Sequence, residues 1–301
     1  MSVPGPAAVP APAPDDLLLT IPNVSEGRDP AVIGAIGEAF SSTGARLLDV
    51  HSDRDHHRSV YTLAGDTRTI VSALVAGARA CAALVDLRAQ RGSHPHVGAL
   101  DVAPLVYLDP ARRGAACAAA LVAGEELGRI GLPVFLYGEL AGGRSRAQLR
   151  RGGLPELTQR IEQGDLQPDF GPARPDPRTG ATLVGARPPL VAFNVELAPP
   201  ATLADARAIA ALIREGGAEG LPGVRAIGVD LAARGHPVAQ VSANVEDHGR
   251  TSLAELAAAV ARHAPVAGCE LVGLAPRAAF DGFPVDVPVA NRRTIEDALS
   301  S

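Results

Sequence analysis

The order of apolar segments constrains this 301-residue chain most, because it runs through one plan twice. In the first half, Leu17–Pro22 reads as a buried strand. Asp29-Pro30 then opens a helix, with aspartate as cap and proline at the first helical position; Val32, Ile33, Ile36 and Phe40 recur at helical spacing. Arg46–Val50 and Ser59–Leu63 are strand-like, and the polar segment His51–Arg58 joins them, which puts its histidines on or beside a loop. Asp66 caps a long helix to about Leu87, and Val102–Leu108 is the next strand. The second half repeats this: Leu190–Leu197 strand, Leu203–Glu215 helix, Val224–Leu231 and Val238–Val245 strands, Leu253–His263 helix, Glu270–Leu274 strand.

That order is βαββαβ, the split βαβ unit of ferredoxin-like folds. The expected architecture is α+β, with two tandem βαββαβ-type (ferredoxin-like) subdomains and a ligand cleft between them. The first half carries an added helix from Asp109-Pro110 to about Ile130 and an added strand, Pro133–Tyr137. Gly142–Thr182 is rich in Gly, Pro and Arg and reads as a loop holding one short helix near Pro155–Gln163. Beyond Pro276 only a short terminal helix is expected. Residues 1–16, mostly Pro and Ala, read as a disordered arm and not as a signal peptide.

Composition narrows the chemistry. All 28 basic residues are arginine. Without lysine there is no Schiff-base chemistry and no P-loop, and fixed positive charge comes from guanidinium, which suits bidentate capture of carboxylates. The net charge of −5 and the absence of a basic run argue against nucleic acid as partner. No segment reads as a membrane span. Cys81, Cys117 and Cys269 show no metal or redox spacing, and Cys81 and Cys117 lie in apolar helical patterns as inert thiols; a reducing cytoplasm is expected.

Five of the eight histidines fall between His51 and His96, in His51-Ser-Asp53-Arg-Asp55-His56-His57-Arg58 and Arg91-Gly-Ser-His94-Pro-His96-Val-Gly98-Ala-Leu-Asp101. Histidine titrates nearest neutrality and suits proton transfer or metal ligation. Pro95 keeps His94 out of α conformation, in a turn between a helix and a strand. There it could act as general base and then general acid, with Asp101 orienting it; the plainer alternative is a turn histidine satisfied by backbone. A zinc-like site from His51, His56, His57, His94 and His96 with Asp53 and Asp55 is a further alternative, although no H-E-x-x-H occurs and no metal is expected. Gly171–Gly180 makes a shaped loop in which Arg174 and Arg178 could receive a carboxylate, or else a solvated linker. Asn23-Val-Ser25-Glu26-Gly27 could hydrogen-bond a ligand, or simply turn into the first helix.

Several short motifs, in order, resemble the glutamate formimidoyltransferase family. They are Ile21-Pro-Asn-Val-Ser-Glu-Gly27, Leu47-Leu-Asp49-Val50, Arg58-Ser-Val-Tyr61-Thr62, His94-Pro95, Gly98-Ala-Leu-Asp101-Val102, Pro168-Asp-Phe-Gly171-Pro172, Gly180-Ala-Thr and Gly185-Ala-Arg187. They continue with Phe193-Asn194, Ala226-Ile-Gly228, Val241-Ser242 with Asn244, and Leu271-Val-Gly-Leu274. The resemblance implies an N-terminal subdomain over residues 17–188, a C-terminal subdomain with tail over 189–301, and a folate site between them. It implies transfer of a formimino group from N-formimino-L-glutamate to N5 of tetrahydrofolate as co-substrate, in histidine degradation, by a cytoplasmic homodimer. No cyclodeaminase unit is expected to follow.

Carried over residue by residue, the catalytic histidine maps onto His94. The folate-binding loop maps onto Gly171, Pro172, Ala173, Arg174, Pro175, Asp176, Pro177, Arg178, Thr179 and Gly180. Asn23, Asp49, His51, His57, Arg58, His96, Asp101 and Arg187 are expected to support or bind substrate. Where the family usually has Arg, Asp, Asn and Glu, this chain has His96, His51, His57 and Ser93, and the folate loop's aromatic pair is replaced within Arg174–Thr179. These departures gather at the site. They leave open a formyl in place of a formimino donor, a diverged metal-dependent hydrolase, and a non-catalytic folate or acidic-metabolite binder.

Overall fold

The computed structural model describes residues 16–92, 95–231 and 238–301. Of the expected arm only Asp16 is among them, and Ser93 and His94 lie outside the described residues.

The first unit follows the expected order. β1 (Leu18–Thr20) and β2 (Asn23–Val24) are two stretches of one strand, broken at Ile21-Pro22, where proline cannot donate to the ladder. α1 (Pro30–Ser41) starts at Asp29, whose side chain accepts from the amides of Ala31 and Val32. β3 (Arg46–Asp53) and β4 (Arg58–Gly65) form a hairpin, α2 (Thr67–Leu84) is capped by Asp66, and β5 (Leu100–Val106) follows. Next come α3 (Arg113–Arg129), β6 (Val134–Leu136), α4 (Arg146–Arg150), α5 (Gly153–Glu162) and β7 (Thr182–Arg187). The sheet order is β3-β4-β1/β2-β5-β7-β6, antiparallel except for the parallel pairs β5–β7 and β6–β7.

The second unit is β8 (Val191–Leu197), α6 (Leu203–Ile213), β9 (Val224–Asp230), β10 (Ala239–Val245), α7 (Leu253–Ala261) and β11 (Val266–Val272), followed by β12 (Val289–Ala290) and α8 (Ile295–Ser300). Its sheet runs β12-β11-β8-β10-β9. In both sheets the unit's first strand lies between its third and its fourth, so the α+β plan read from the sequence is built twice.

Several expectations change. Strand β7 begins where the expected loop ends, in a stretch where the sequence reading placed no strand. Its run Thr182–Ala186 is buried because neighbours pair on both edges, and Gly185 is required because a Cβ there would meet the Tyr137 ring at 2.9 Å. α4 is closed by a capping box between Ser145 and Gln148. β3 extends to Asp53, so His51 is a strand residue, and β11 begins at Val266 with a bulge before Gly268. Finally, α2, with 18 residues and mean hydropathy 1.2, meets the length and apolarity of a membrane span, yet its Ile70, Leu74, Ala78 and Cys81 are buried in the first core. Cys117, expected to be a buried thiol like Cys81, is only half-buried.

Each sheet buries one face under helices. Tyr61, Leu63, Leu18 and Leu105 pack under α1–α3, and the alanines of α3 allow close approach where aromatic residues are scarce. Val191, Phe193, Val195, Val241 and Val245 pack under α6 and α7. By strand alternation the remaining residues point the other way, and these two other faces confront each other. On the first sheet that face is covered at one end by α4 and α5, over Val102, Phe135 and Leu183. At the other end Leu274, Ile295 and Ala298 cover Leu19, Leu48, Ala64 and Val106. Between the two covers lies a polar cleft.

Candidate active site

The period of two builds the floor of the cleft. In the β3–β4 ladder Asp53 stands opposite Arg58, His51 opposite Val60 and Asp49 opposite Thr62, so all six share one face. An inner chamber of about 140 Å³ is lined by His51, Asp53, Arg58 and Thr62 from this floor, by Asn23, and by Asn194, Ser242 and Asn244 from the opposite sheet. Arg146 and Arg150 of α4 and Arg187 at the end of β7 close it. It shares Arg146, Arg150 and Asn244 with an outer cleft of about 1190 Å³ that is bordered by Gly92, Pro95, His96, Pro175 and Pro177.

Asp101 organises the charges. Its side chain is 0% exposed and accepts from Arg58 Nη1 at 2.9 Å, from Arg150 Nη2, and from the Val97 amide at 2.8 Å. Arg58 also donates Nε and Nη2 to Asn23 Oδ1 at 3.0 and 2.7 Å, and Asn23 Nδ2 donates to the Ile21 carbonyl. Burial and the neighbouring Arg150 push Arg58 down to about 9, and burial pushes Arg187 down to about 10, so both stay cationic at neutral pH. Four guanidiniums therefore face the chamber region, against the carboxylates of Asp53 and Asp101. The Nε–H groups of Arg150 and Arg187 are buried with no partner. Buried donors left unmade are costly.

The histidines separate. His51 and His56 line the chamber. His56 Nδ1 lies 3.1 Å from Asp53 Oδ1 and its amide donates to the same oxygen; burial would raise Asp53, but these bonds hold it at about 2. His57 has φ 51°, in the left-handed region, and Nε2 lies 3.1 Å from Glu26 Oε1; burial lowers its pKa despite that carboxylate, so the ring is neutral at pH 7. His96 borders the outer cleft. Among the described residues no three His, Cys, Asp or Glu side chains are grouped to hold a metal ion. His94, the expected acid/base, lies outside the described residues.

The expected folate loop is shaped as its glycines require. Gly171 and Gly180 have φ of 83° and 70°, and a Cβ on either would strike a carbonyl oxygen, of Leu132 or Val97, at 2.2 or 2.1 Å. Asp176 accepts from the amides of Arg178 and Thr179, and the Thr179 carbonyl accepts from Ala99. Of the ten loop residues Pro175 and Pro177 line the cleft, while Gly171, Pro172, Ala173, Arg174, Asp176, Arg178, Thr179 and Gly180 do not. Arg178 instead donates to the Ala83 carbonyl in the last turn of α2, where a cation suits the helix end. Asp49 also stands outside the chamber, paired with Arg293 at 2.6 Å.

Sequence reasoning missed Arg146 and Arg150 as site residues. Their i, i+4 spacing in Arg144–Arg151 was the available signal, since it places two guanidiniums on one helical face. Asn194, Ser242 and Asn244 stand in family-like motifs, but nothing local in them indicates a second wall.

The family model for the formiminotransferase domain, N-terminal subdomain, matches residues 17–187, and that for the formiminotransferase domain matches residues 192–282. The chain is 36% identical over 270 residues to the glutamate formimidoyltransferase of Streptococcus pyogenes serotype M1, covering 86% of this chain and 89% of that one. It is 34% identical over 277 residues to the glutamate formimidoyltransferase of Thermoplasma acidophilum, covering 88% and 89%. It is 38% identical over 275 residues to the formimidoyltransferase-cyclodeaminase of Rattus norvegicus, covering 86% of this chain and 50% of that one. The chain thus spans about half the length of the bifunctional relatives it matches. With both subdomain models matched in order along a chain whose two sheets face across one cleft, this protein belongs to the formiminotransferase domain family.

Proposed function

We propose that this chain transfers the formimino group of N-formimino-L-glutamate to N5 of tetrahydrofolate, giving 5-formiminotetrahydrofolate and glutamate. The observation that carries this reading is the small cationic chamber opening into a wide cleft. The chamber suits a compact dicarboxylate, whose charges meet the positive field of Arg146, Arg150 and Arg187. The outer cleft, bordered by Leu87, Pro175 and Pro177 as well as Arg146 and Arg225, has the room and mixed lining for a pterin and its aminobenzoyl arm. The names of the relatives, glutamate formimidoyltransferases among them, support the same reaction.

As N5 bonds to the formimino carbon it must lose a proton, and the glutamate nitrogen must gain one as its bond to that carbon breaks. In this reading His94 takes the first proton on a ring nitrogen and returns it to the leaving nitrogen. Guanidiniums hold the donor still meanwhile. The purified protein should release glutamate from N-formimino-L-glutamate only when tetrahydrofolate is present. His94→Ala should lower turnover about 10²- to 10⁴-fold. Undiminished turnover in that variant, or release without tetrahydrofolate, contradicts the reading; N-formylglutamate assayed in parallel identifies a formyl donor if that is the better substrate.

A further inference from the structure

The last segment of the chain crosses from one unit to the other. β12 pairs in parallel with β11, Cys269 opposite Val289 and Glu270 opposite Ala290, and so starts on the second sheet. Two adjacent arginines then diverge. Arg292 lies over the Phe280 ring of the second unit at 4.6 Å, while Arg293 reaches the first sheet, with Nη1 2.6 Å from Asp49 Oδ1 and Nη2 3.4 Å from the Leu48 carbonyl. α8 follows, capped by Thr294. Its Ile295 and Ala298 join Leu274 in one apolar cluster with Leu19, Leu48, Ala64 and Val106 of the first sheet. Arg46 on β3 donates to the carbonyls of Ala298 and Leu299, the unpaired end of α8. The Arg46 and Arg293 bonds thus cross between the two units on this segment.

Its position relative to the site gives it a role. Leu274 lines the inner chamber and lies in the apolar cluster beneath α8, and Ile21, also a chamber residue, packs against that cluster. Asp49 stands opposite Thr62, the chamber's back edge. The β3 bulge between Leu47 and Asp49 turns Leu48 into the same cluster while Asp49 meets Arg293. The chamber has one wall from each sheet, so its width depends on how firmly the sheets are held at this end.

We propose that Asp49 and Arg293, with helix α8, are positioning residues: they strap the second unit onto the first sheet and set the width of the chamber that holds the acidic donor. Neither residue touches substrate; each acts through the separation of Arg58 and Asn23 from Asn194 and Asn244. This rests on the transfer reading above for its substrate, though the strap itself rests only on the contacts just given.

The test compares unaltered protein with Arg293→Ala, Arg293→Lys, and the exchanged pair Asp49→Arg with Arg293→Asp. Arg293→Ala should raise the KM for N-formimino-L-glutamate about tenfold while kcat stays within about twofold. Arg293→Lys and the exchanged pair should each recover most of that loss. Glutamate binding followed by calorimetry should weaken in parallel, whether or not turnover is seen. An unchanged KM and glutamate affinity in Arg293→Ala, or loss confined to the folded fraction with no recovery in the exchanged pair, overturns the proposal. A stronger variant, Ile295→Asp with Arg46→Ala, should split one thermal transition into two, and a single transition at the original midpoint overturns it equally. If the unaltered protein shows no formimino transfer, the function reading fails, while the calorimetry and melting arms still decide the strap.

Discussion

The two walls of the inner chamber are made by the same plan and carry different chemistry. The first sheet offers Arg58, bonded to the buried Asp101, and Asp53, which stands opposite Arg58 in the ladder and is bonded to His56. The second offers Asn194, Ser242 and Asn244, neutral groups at matching strand positions, with Ser242 directly opposite Asn194. In both, the residues that pack under helices fix the fold, and the alternate residues are free to differ. The contrast assigns work: the charged wall can grip and orient an anion, whereas the amide wall can bond to groups of either polarity as charge moves during transfer.

The contrast can be broken by unequal substitutions. Asp101→Asn leaves Arg58 and Arg150 as buried guanidiniums facing a neutral amide, so we expect about 3–5 kcal/mol of lost stability, read from urea unfolding, together with a kcat/KM down by about 10² or more. Asn244→Ala, on the amide wall, should cost about 1–2 kcal/mol in kcat/KM and little stability. Equal losses in the two variants would erase the distinction between the walls.

Acid should also act on one wall more than on the other. Asp53 sits at about 2 in the folded protein, below its ordinary 3.8. A carboxyl depressed by folding binds more protons when unfolded, so its contribution is present above pH 4 and is lost as pH falls toward 2. His57 is depressed from 6.5 by burial, so it too binds more protons when unfolded, and stability should decline as pH drops below about 6.5. Asp53→Asn should flatten the unfolding free energy between pH 4 and 2, and His57→Asn the part below pH 6.5. Ser242→Ala on the second wall should leave both slopes as they are.

Much of the scaffold was legible in the sequence because it is local. Asp29-Pro30, Asp66 and the alternation in β8 and β10 each announce themselves within a few residues. β7 did not, because Gly185 interrupts its apolar run and Gly- and Pro-rich loop precedes it. The site was legible in pieces. Arg58 and Asp101 stand in recognisable motifs, but Arg150 comes from a five-residue helix and reaches Asp101 across 49 positions of chain. Arg174 and Arg178 were expected at the ligand for their charge, and Asp49 through the family resemblance. The fold places Arg178 at the end of α2 and Asp49 under the strap, and no spacing rule foretells either.

The central claim is that the cationic chamber holds the second carboxylate of the donor. It is tested most directly by comparing N-formimino-L-glutamate with N-formiminoglycine, which lacks that carboxylate, in unaltered protein and in Arg150→Ala. The unaltered protein should favour the glutamate compound about 10²-fold or more in kcat/KM, and Arg150→Ala should reduce that preference to about tenfold or less. The same preference in both proteins would contradict an anion-binding chamber built around Arg150.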